Sequence, residues 1–125
     1  MDRFSFDLPG RDYYPVRVRG LLFEDEQGCF FAHLPGLDLT GYGASRRDAK
    51  DCLEVVLRVY FTDMLLKGTL AEDMIRLGWI FQGEMIWPPQ PDMAGFNDML
   101  ELMKDGSAVR GFMCTIDIPY SNARA

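Results

Sequence analysis

Three consecutive carboxylates, Glu24, Asp25 and Glu26, stand together in this sequence and have the chemistry to bind a cation. Converging carboxylates can hold Mg²⁺ ions that activate water for the hydrolysis of nucleic acids. These three residues directly precede Gln27 and Gly28, however, in a segment typical of a turn between two strands, where acidic side chains are usually solvated. We therefore predict no metal site here, and expect the three carboxylates to contact a basic partner.

The other side chains that could support chemistry lack the neighbours that a reaction needs. His33 is the single histidine, and it lies in a predicted strand without a recognisable nucleophile or second ligand. Cys29, Cys52 and Cys114 are widely spaced and form no C-x-x-C pair. This spacing argues against a zinc site or a disulfide framework and favours a reducing compartment. The sequence therefore predicts no catalytic residues, no cofactor and no metal, and hence a protein that is not an enzyme.

Composition and charge narrow the class of protein further. A chain of 125 residues with 48% hydrophobic content suits one domain with its own core. Its net charge of -6 and pI near 4.6 repel phosphate backbones and anionic lipids, so a basic protein is the expected partner. No stretch approaches the roughly 18 apolar residues of a membrane span, and the N-terminal residues do not resemble a signal peptide. We expect a cytoplasmic protein without membrane contact.

The strands that must position these residues follow from hydrophobic alternation. Residues 14–22, 29–34 and 37–43 each have a strand pattern, with turn residues between them, and together predict a three-stranded antiparallel meander. Residues 110–118 alternate again and predict a last strand. The apolar face of that strand consists of Phe112, Cys114, Ile116 and Ile118.

A long helix is predicted directly after the meander. Ser45 and Asp48 have the S-x-x-D pattern of a capping box, and apolar residues recur at helical spacing as far as residue 66. We expect the helix to cover one face of the sheet. The face in contact with the sheet is predicted to consist of Ala49, Leu53, Val56, Tyr60 and Met64. A second capping-box pattern at Thr69 and Glu72 predicts a shorter helix.

The fold class that these elements predict is α+β. A small antiparallel sheet, made of the meander and the C-terminal strand, packs against one main helix, with a short second helix beside it. We expect residues 1–125 to form a single domain, with a core of residues 12–79 and an accessory extension of residues 80–125. Within the extension, residues 79–87 predict a small hairpin and residues 93–104 a further helix.

The order strand, strand, strand, helix, taken with two short motifs, resembles the HicB-like antitoxin family. The motifs are LPGL at residues 34–37, before the third strand, and TGYGAS at residues 40–45, which leads into the capped helix. The resemblance extends from about residue 14 to residue 79, and TIDIP at residues 115–119 is similar to the closing strand of shorter family members. It implies a partial RNase H-like fold.

The resemblance also implies a function. A HicB-like antitoxin binds a small basic RNA-cleaving toxin of the HicA type and covers its active surface without altering any covalent bond. The alternative is an orphan HicB-like binding or regulatory module without a toxin partner. Many relatives carry a ribbon-helix-helix or helix-turn-helix tail, whereas only residues 120–125 follow the last predicted strand here, so direct DNA binding is not expected.

The C-terminal segment predicts self-association. A strand over residues 110–118 at the end of a small sheet would leave backbone groups unpaired, and methionine and aromatic residues stand close to it in the sequence. A two-fold homodimer would bury both features, with Phe112, Cys114, Ile116 and Ile118 at its interface. Packing of the segment onto its own domain is the alternative.

Overall fold

In a computed structural model, residues 2–83, 85–89 and 109–121 are described, and they form an α+β fold as predicted. Its elements, in chain order, are β1 (Asp2–Phe4), β2 (Arg11–Glu24), β3 (Phe30–Leu34), β4 (Leu39–Gly43), α1 (Arg46–Lys67), α2 (Leu70–Arg76), β5 (Ile80–Gln82), β6 (Met85–Trp87) and β7 (Arg110–Ser121). Strands β5 and β6 pair as the predicted small hairpin. The helix predicted for residues 93–104 lies outside the described residues.

The remaining five strands form one sheet in the order β1-β7-β2-β3-β4. Strands β2, β3 and β4 are the predicted antiparallel meander. Strand β7 pairs antiparallel with β2 over its full length, and β1 pairs with the other side of β7 in parallel. The sheet is therefore mixed and not purely antiparallel. Strand β1 was not predicted, because its three residues are too few to show an alternating pattern.

The inner face of the sheet, which faces α1, holds the apolar core. Val16, Val18 and Leu22 of β2 are buried there, whereas Arg17 and Arg19 are exposed on the outer face, so the predicted alternation of β2 is confirmed. The core includes residues from strands near both ends of the chain and from the β5–β6 hairpin. This core cluster includes Phe4, Phe6, Ala32, Leu34, Trp79, Ile86, Cys114, Ile116 and Ile118.

Helix α1 begins where the capping pattern predicts. The Asp48 backbone N–H donates a hydrogen bond of 3.0 Å to Ser45 Oγ, and Ser45 itself is extended, as expected of an N-cap residue. The predicted cap of α2 is wrong. Thr69 makes no cap hydrogen bond with its side chain, because its hydroxyl points back to Met64 Sδ at 3.4 Å.

The side of α1 that faces the sheet differs from the predicted side by about one residue. Ala49 and Leu53 are buried as expected. Further along the helix, Leu57 and Phe61 are the buried residues, and the predicted Val56, Tyr60 and Met64 are only half-buried beside them. Apolar residues stand in runs of three in this part of the sequence, so periodicity alone permits more than one side.

The position of α1 depends on its close contact with β4. A Cβ atom at Gly41 would overlap the backbone nitrogen of Leu53 and the carbonyl oxygen of Ala49. Only glycine allows two backbones to approach this closely. The glycine therefore sets both the height of α1 above the sheet and the point at which it crosses β4.

A substitution at this contact tests its importance. Gly41→Ala should lower the free energy of unfolding by about 1–3 kcal/mol or more, since the added methyl meets backbone atoms that cannot rotate away. Gly111→Ala is the matched control, because the nearest atoms to a Cβ there lie 3.9 Å away. Urea denaturation measures both. An equally small effect of the two substitutions would contradict the proposed contact.

Candidate protein-binding surface

The acidic turn between β2 and β3 is ordered by one of its own carboxylates. Asp25 Oδ1 accepts hydrogen bonds from the backbone N–H groups of Gln27 (2.9 Å) and Cys29 (2.8 Å). The Asp25 N–H donates to the Cys29 carbonyl at 2.9 Å, and Gly28 adopts a positive φ of 82°. Asp25 is thus a structural residue of the turn, which sequence reasoning missed although aspartate is typical of this role.

The other two acids of the turn differ in exposure. Glu24 is half-buried at the end of β2, opposite Phe30 of β3, while Glu26 is exposed at the tip of the turn. Neither side chain forms an ion pair within the described part of the chain. Of the three acids predicted to contact a basic partner, Asp25 orders the turn and only Glu26 is exposed.

An aromatic row crosses the outer face of the sheet next to this turn. The strand register places Phe23 of β2 opposite Phe31 of β3, and Phe31 opposite Tyr42 of β4. The rings of Phe23 and Phe31 stack with their centroids 5.0 Å apart and their planes at 14°. Tyr42 is 64% exposed. Glu26 lies in the adjoining turn, whereas Glu24 follows Leu22 on the inner face, on the same side as Phe30. We call Phe23, Phe31 and Tyr42, together with Glu26, the aromatic–acidic patch.

The strand register also orders the polar side chains beside this patch. His33 of β3 lies opposite Thr40 of β4, two residues along from the Phe31–Tyr42 pair and on the same face. Its Nδ1 is 2.8 Å from Thr40 Oγ1. Burial lowers the pKa of His33 below its ordinary value, and the nearby charge of Asp38 only partly opposes this. The surroundings of His33 therefore favour its neutral form.

The arginines of the described strands and of the start of α1 lie on different sides of the sheet. Arg17 and Arg19 are exposed on the outer face, whereas the Arg46 guanidinium lies 5.9 Å from the centre of the Phe30 ring, at the start of α1. Arg3 is held by Asp117, through contacts of 3.1 Å and 2.8 Å that join β1 to β7. Arg3, Arg17 and Arg19 thus share the outer face, where Arg3 and Arg17 both lie opposite Thr115.

The residues predicted for a dimer interface lie inside the domain. Cys114, Ile116 and Ile118 are at most 1% exposed on the inner face of the sheet. Phe112 is half-buried, with the Lys50 ammonium group 4.8 Å from its ring centre. Burial raises the pKa of the Cys114 thiol to about 12, and the negative charge of Asp2 adds to the effect. A second copy could not reach the three buried side chains without opening the core.

These side chains are buried because of the position of β7 in the sheet. The sequence predicted a strand at the end of the sheet, where its backbone and one face would be uncovered. In the structure β7 lies between β1 and β2, so its apolar face meets the helix side of its own domain. The alternative prediction, that this segment packs onto its own domain, describes the strand correctly.

The described residues form neither a metal cluster nor a large cavity. Among residues 2–83, 85–89 and 109–121, no three His, Cys, Asp or Glu side chains are grouped so that they could hold a metal ion. A depression lined by Val18, Leu37 and Trp79 has a volume of only about 10 Å³, whereas small-molecule sites usually have about 300–1,000 Å³. None of the helices formed by the described residues is long and apolar enough to cross a membrane.

No protein-family model, curated protein or solved structure matches this chain. The resemblance to HicB-like antitoxins therefore rests on the order of the elements and on the motifs at residues 34–37 and 40–45. The second motif has a structural explanation, since its Gly41 makes room for α1 and its Ser45 caps the helix.

Substitutions in the acidic turn should distinguish Asp25, which orders the turn, from Glu26, which is exposed. Asp25→Ala removes the acceptor of two backbone N–H groups and should lower the free energy of unfolding by about 1–2 kcal/mol. Asp25→Asn keeps an acceptor oxygen and should cost less. The control Glu26→Gln should change stability by less than about 0.5 kcal/mol. Equal urea midpoints for Asp25→Ala and Glu26→Gln would show that the turn does not need its aspartate.

The lowered pKa of His33 predicts a dependence of stability on pH. The unfolded chain binds a proton near the ordinary pKa of about 6.5, before the folded chain does. Stability should therefore fall as the pH decreases from about 7.5 through 6.5 toward the lower pKa of the folded state. His33→Gln should lose this part of the slope. Thermal unfolding at several pH values measures it, and identical slopes in the two proteins would contradict the prediction.

Proposed function

We propose that this chain is a non-enzymatic binding protein of the HicB-like antitoxin type, which neutralises a small basic RNA-cleaving toxin of the HicA type. The aromatic–acidic patch is the observation that carries this proposal. It combines stacked and exposed aromatic side chains on the outer face with Glu26 of the adjoining turn. Aromatic residues are enriched in the centres of protein interfaces, and acidic residues complement a basic partner.

The geometry of the patch suits tight binding by a preformed surface. Phe23, Phe31 and Tyr42 stand on three adjacent, mutually paired strands, so little freedom is lost when a partner covers them. Tyr42 is the most exposed of the three and can place its ring in a pocket while its hydroxyl keeps a hydrogen-bonding partner. Tyr42 is therefore the expected anchor of the interface.

Electrostatics would bring the two proteins together. The net charge of -6 attracts a basic protein over several ångströms, and the exposed Glu26 marks the edge of the patch where such a partner would first make contact. The surface that a ribonuclease uses for RNA is itself basic. An acidic protein that covers this surface excludes RNA by occupying its place, with no chemical step.

The resemblance to HicB-like antitoxins supports the same function. Its motifs lie in the strands and turns next to the patch, since Tyr42 belongs to the TGYGAS segment. The three cysteines are free thiols, which suits the reducing cytoplasm where such a pair would act. Direct binding to DNA is not part of the proposal, because the acidic chain would repel the phosphate backbone.

Co-purification and an RNA-cleavage assay test the proposal. The full chain, tagged and expressed in its native host, should retain a basic protein of under about 100 residues, and the recovered partner should cleave RNA only when this chain is removed. Tyr42→Ala should weaken the complex by about 2 kcal/mol or more, as expected of an anchor residue. The matched control is Tyr120→Ala, an exposed tyrosine at the far end of the sheet.

The two acids should act mainly on the rate of association. Glu24→Gln with Glu26→Gln should slow binding and reduce its dependence on salt. Recovery of the chain without a basic partner would contradict the toxin hypothesis and favour the orphan module. A recovered toxin whose binding is unaffected by Tyr42→Ala would place the interface elsewhere.

A further inference from the structure

The outer face of the sheet brings three arginines together across strands β1, β7 and β2. Arg3 of β1 lies opposite Thr115 of β7, and Thr115 lies opposite Arg17 of β2. Arg19 stands two residues further along β2, so its side chain leaves the strand on the same face. All three arginines are exposed. We call Arg3, Arg17 and Arg19 the arginine cluster.

The pairing of the strands sets the spacing of the arginine cluster. Neighbouring strands lie about 4.8 Å apart, so the Cα atoms of Arg3 and Arg17 are about 10 Å apart across β7. Arg17 and Arg19 are two residues apart in one strand, which corresponds to about 7 Å. Arginine carries its guanidinium group at the end of a long side chain. The three groups can therefore reach one small ligand that lies over the sheet between them.

The guanidinium group of Arg3 is already held in place. Its Nε donates to Asp117 Oδ2 at 3.1 Å, and its Nη2 donates to Asp117 Oδ1 at 2.8 Å. Ser5 Oγ also donates to Asp117 Oδ2, at 2.8 Å. Asp117 is 7% exposed, whereas the Arg3 side chain is 61% exposed. Since a guanidinium group has about five N–H donors, most of those on Arg3 remain available to a ligand, and little freedom is lost on binding.

The arginine cluster has an excess of positive charge. Asp117 neutralises one of its three guanidinium groups, and Asp117 is the only acidic residue at the outer-face positions of β1, β2 and β7. Arg17 and Arg19 form no ion pair within the part of the chain that the structure describes. Two positive charges thus remain on this area, although the whole chain has a net charge of -6.

We infer that the arginine cluster binds the phosphate monoester group of a small phosphorylated molecule. Such a group carries a charge of roughly -1.5 to -2 near neutral pH and three strong acceptor oxygens. It therefore balances the two remaining positive charges and accepts hydrogen bonds from more than one guanidinium group. A carboxylate fits less well, because it has one negative charge and two oxygens. At Asp117, those two oxygens are occupied by a single arginine and Ser5.

The charge distribution favours a small ligand over a nucleic acid. Each further phosphate of a nucleic acid would lie outside the arginine cluster, where a chain with a net charge of -6 repels it. A small phosphorylated molecule places its negative charge only over the three arginines. The cluster is also separate from the aromatic–acidic patch, since Phe23 lies four residues beyond Arg19 on β2, or about 13 Å away. The inference therefore does not depend on the proposed function.

A titration followed by NMR tests the site in the full chain. The Nε–H signals of ¹⁵N-labelled arginine side chains should shift for Arg3, Arg17 and Arg19 when inorganic phosphate or adenosine monophosphate is added. Half-saturation should occur at about 1–10 mM in a phosphate-free buffer of low ionic strength, because exposed charges are screened by salt. Sodium acetate at the same ionic strength should cause much smaller shifts, since a carboxylate has one charge only.

Substitutions of the arginines test the geometry. Arg17→Gln with Arg19→Gln removes both unpaired charges and should weaken phosphate binding about tenfold or more. Arg17→Lys keeps the charge but loses the planar fork, so it should weaken binding about threefold. The matched control is Arg58→Gln, at an exposed arginine of α1 on the other side of the sheet, which should change the dissociation constant less than about twofold. Circular dichroism should show that all variants are folded.

Four results would overturn the inference. The absence of shifts at about 20 mM phosphate would reject the site. Equal shifts with acetate would assign the arginines to carboxylates. An equal loss of binding in Arg58→Gln, or unchanged binding in Arg17→Lys, would reduce the effect to general electrostatic attraction. Tighter binding of a single-stranded RNA of about ten nucleotides, without terminal phosphates, than of adenosine monophosphate would make the face a nucleic-acid surface.

Discussion

The close contact between α1 and β4 is the constraint on which much of this structure depends. Gly41 lets the helix backbone approach the strand, because any side chain there would overlap Leu53 and Ala49. The contact fixes which side of α1 is buried, with Leu57 and Phe61 inside. The same rotation turns Val55, Val59 and Leu66 to the surface. Gly43, two residues further along β4, likewise leaves no room for a Cβ beside Asp48 and Ala49, so the two glycines together determine how α1 packs on the sheet.

The second determining feature is the position of β7 within the sheet. Residues 110–121 pair with β2 along its length and with β1 on the other side. This arrangement brings the two ends of the chain together, and Asp117 holds Arg3 across the junction. It also places the most apolar face of the strand in the core.

The layered arrangement places an aromatic row on the outer face of the sheet, where strand register aligns Phe23, Phe31 and Tyr42. Val55, Val59 and Leu66 are exposed on the side of α1 that faces away from the sheet. The two groups of side chains therefore lie on opposite sides of the domain.

The sequence by itself determined the α+β class, the meander, the alternation of β2 and the start of α1 at Ser45, since each depends on residues that are close in the chain. Tertiary structure alone decided the place of β7, the pairing of β1 and the alignment of the aromatic row, because these depend on which distant strands pair. Tertiary structure also decided which apolar side of α1 is buried, because periodicity alone permits more than one. Local pattern shows which residues can be buried, and only the neighbouring elements decide which of them are.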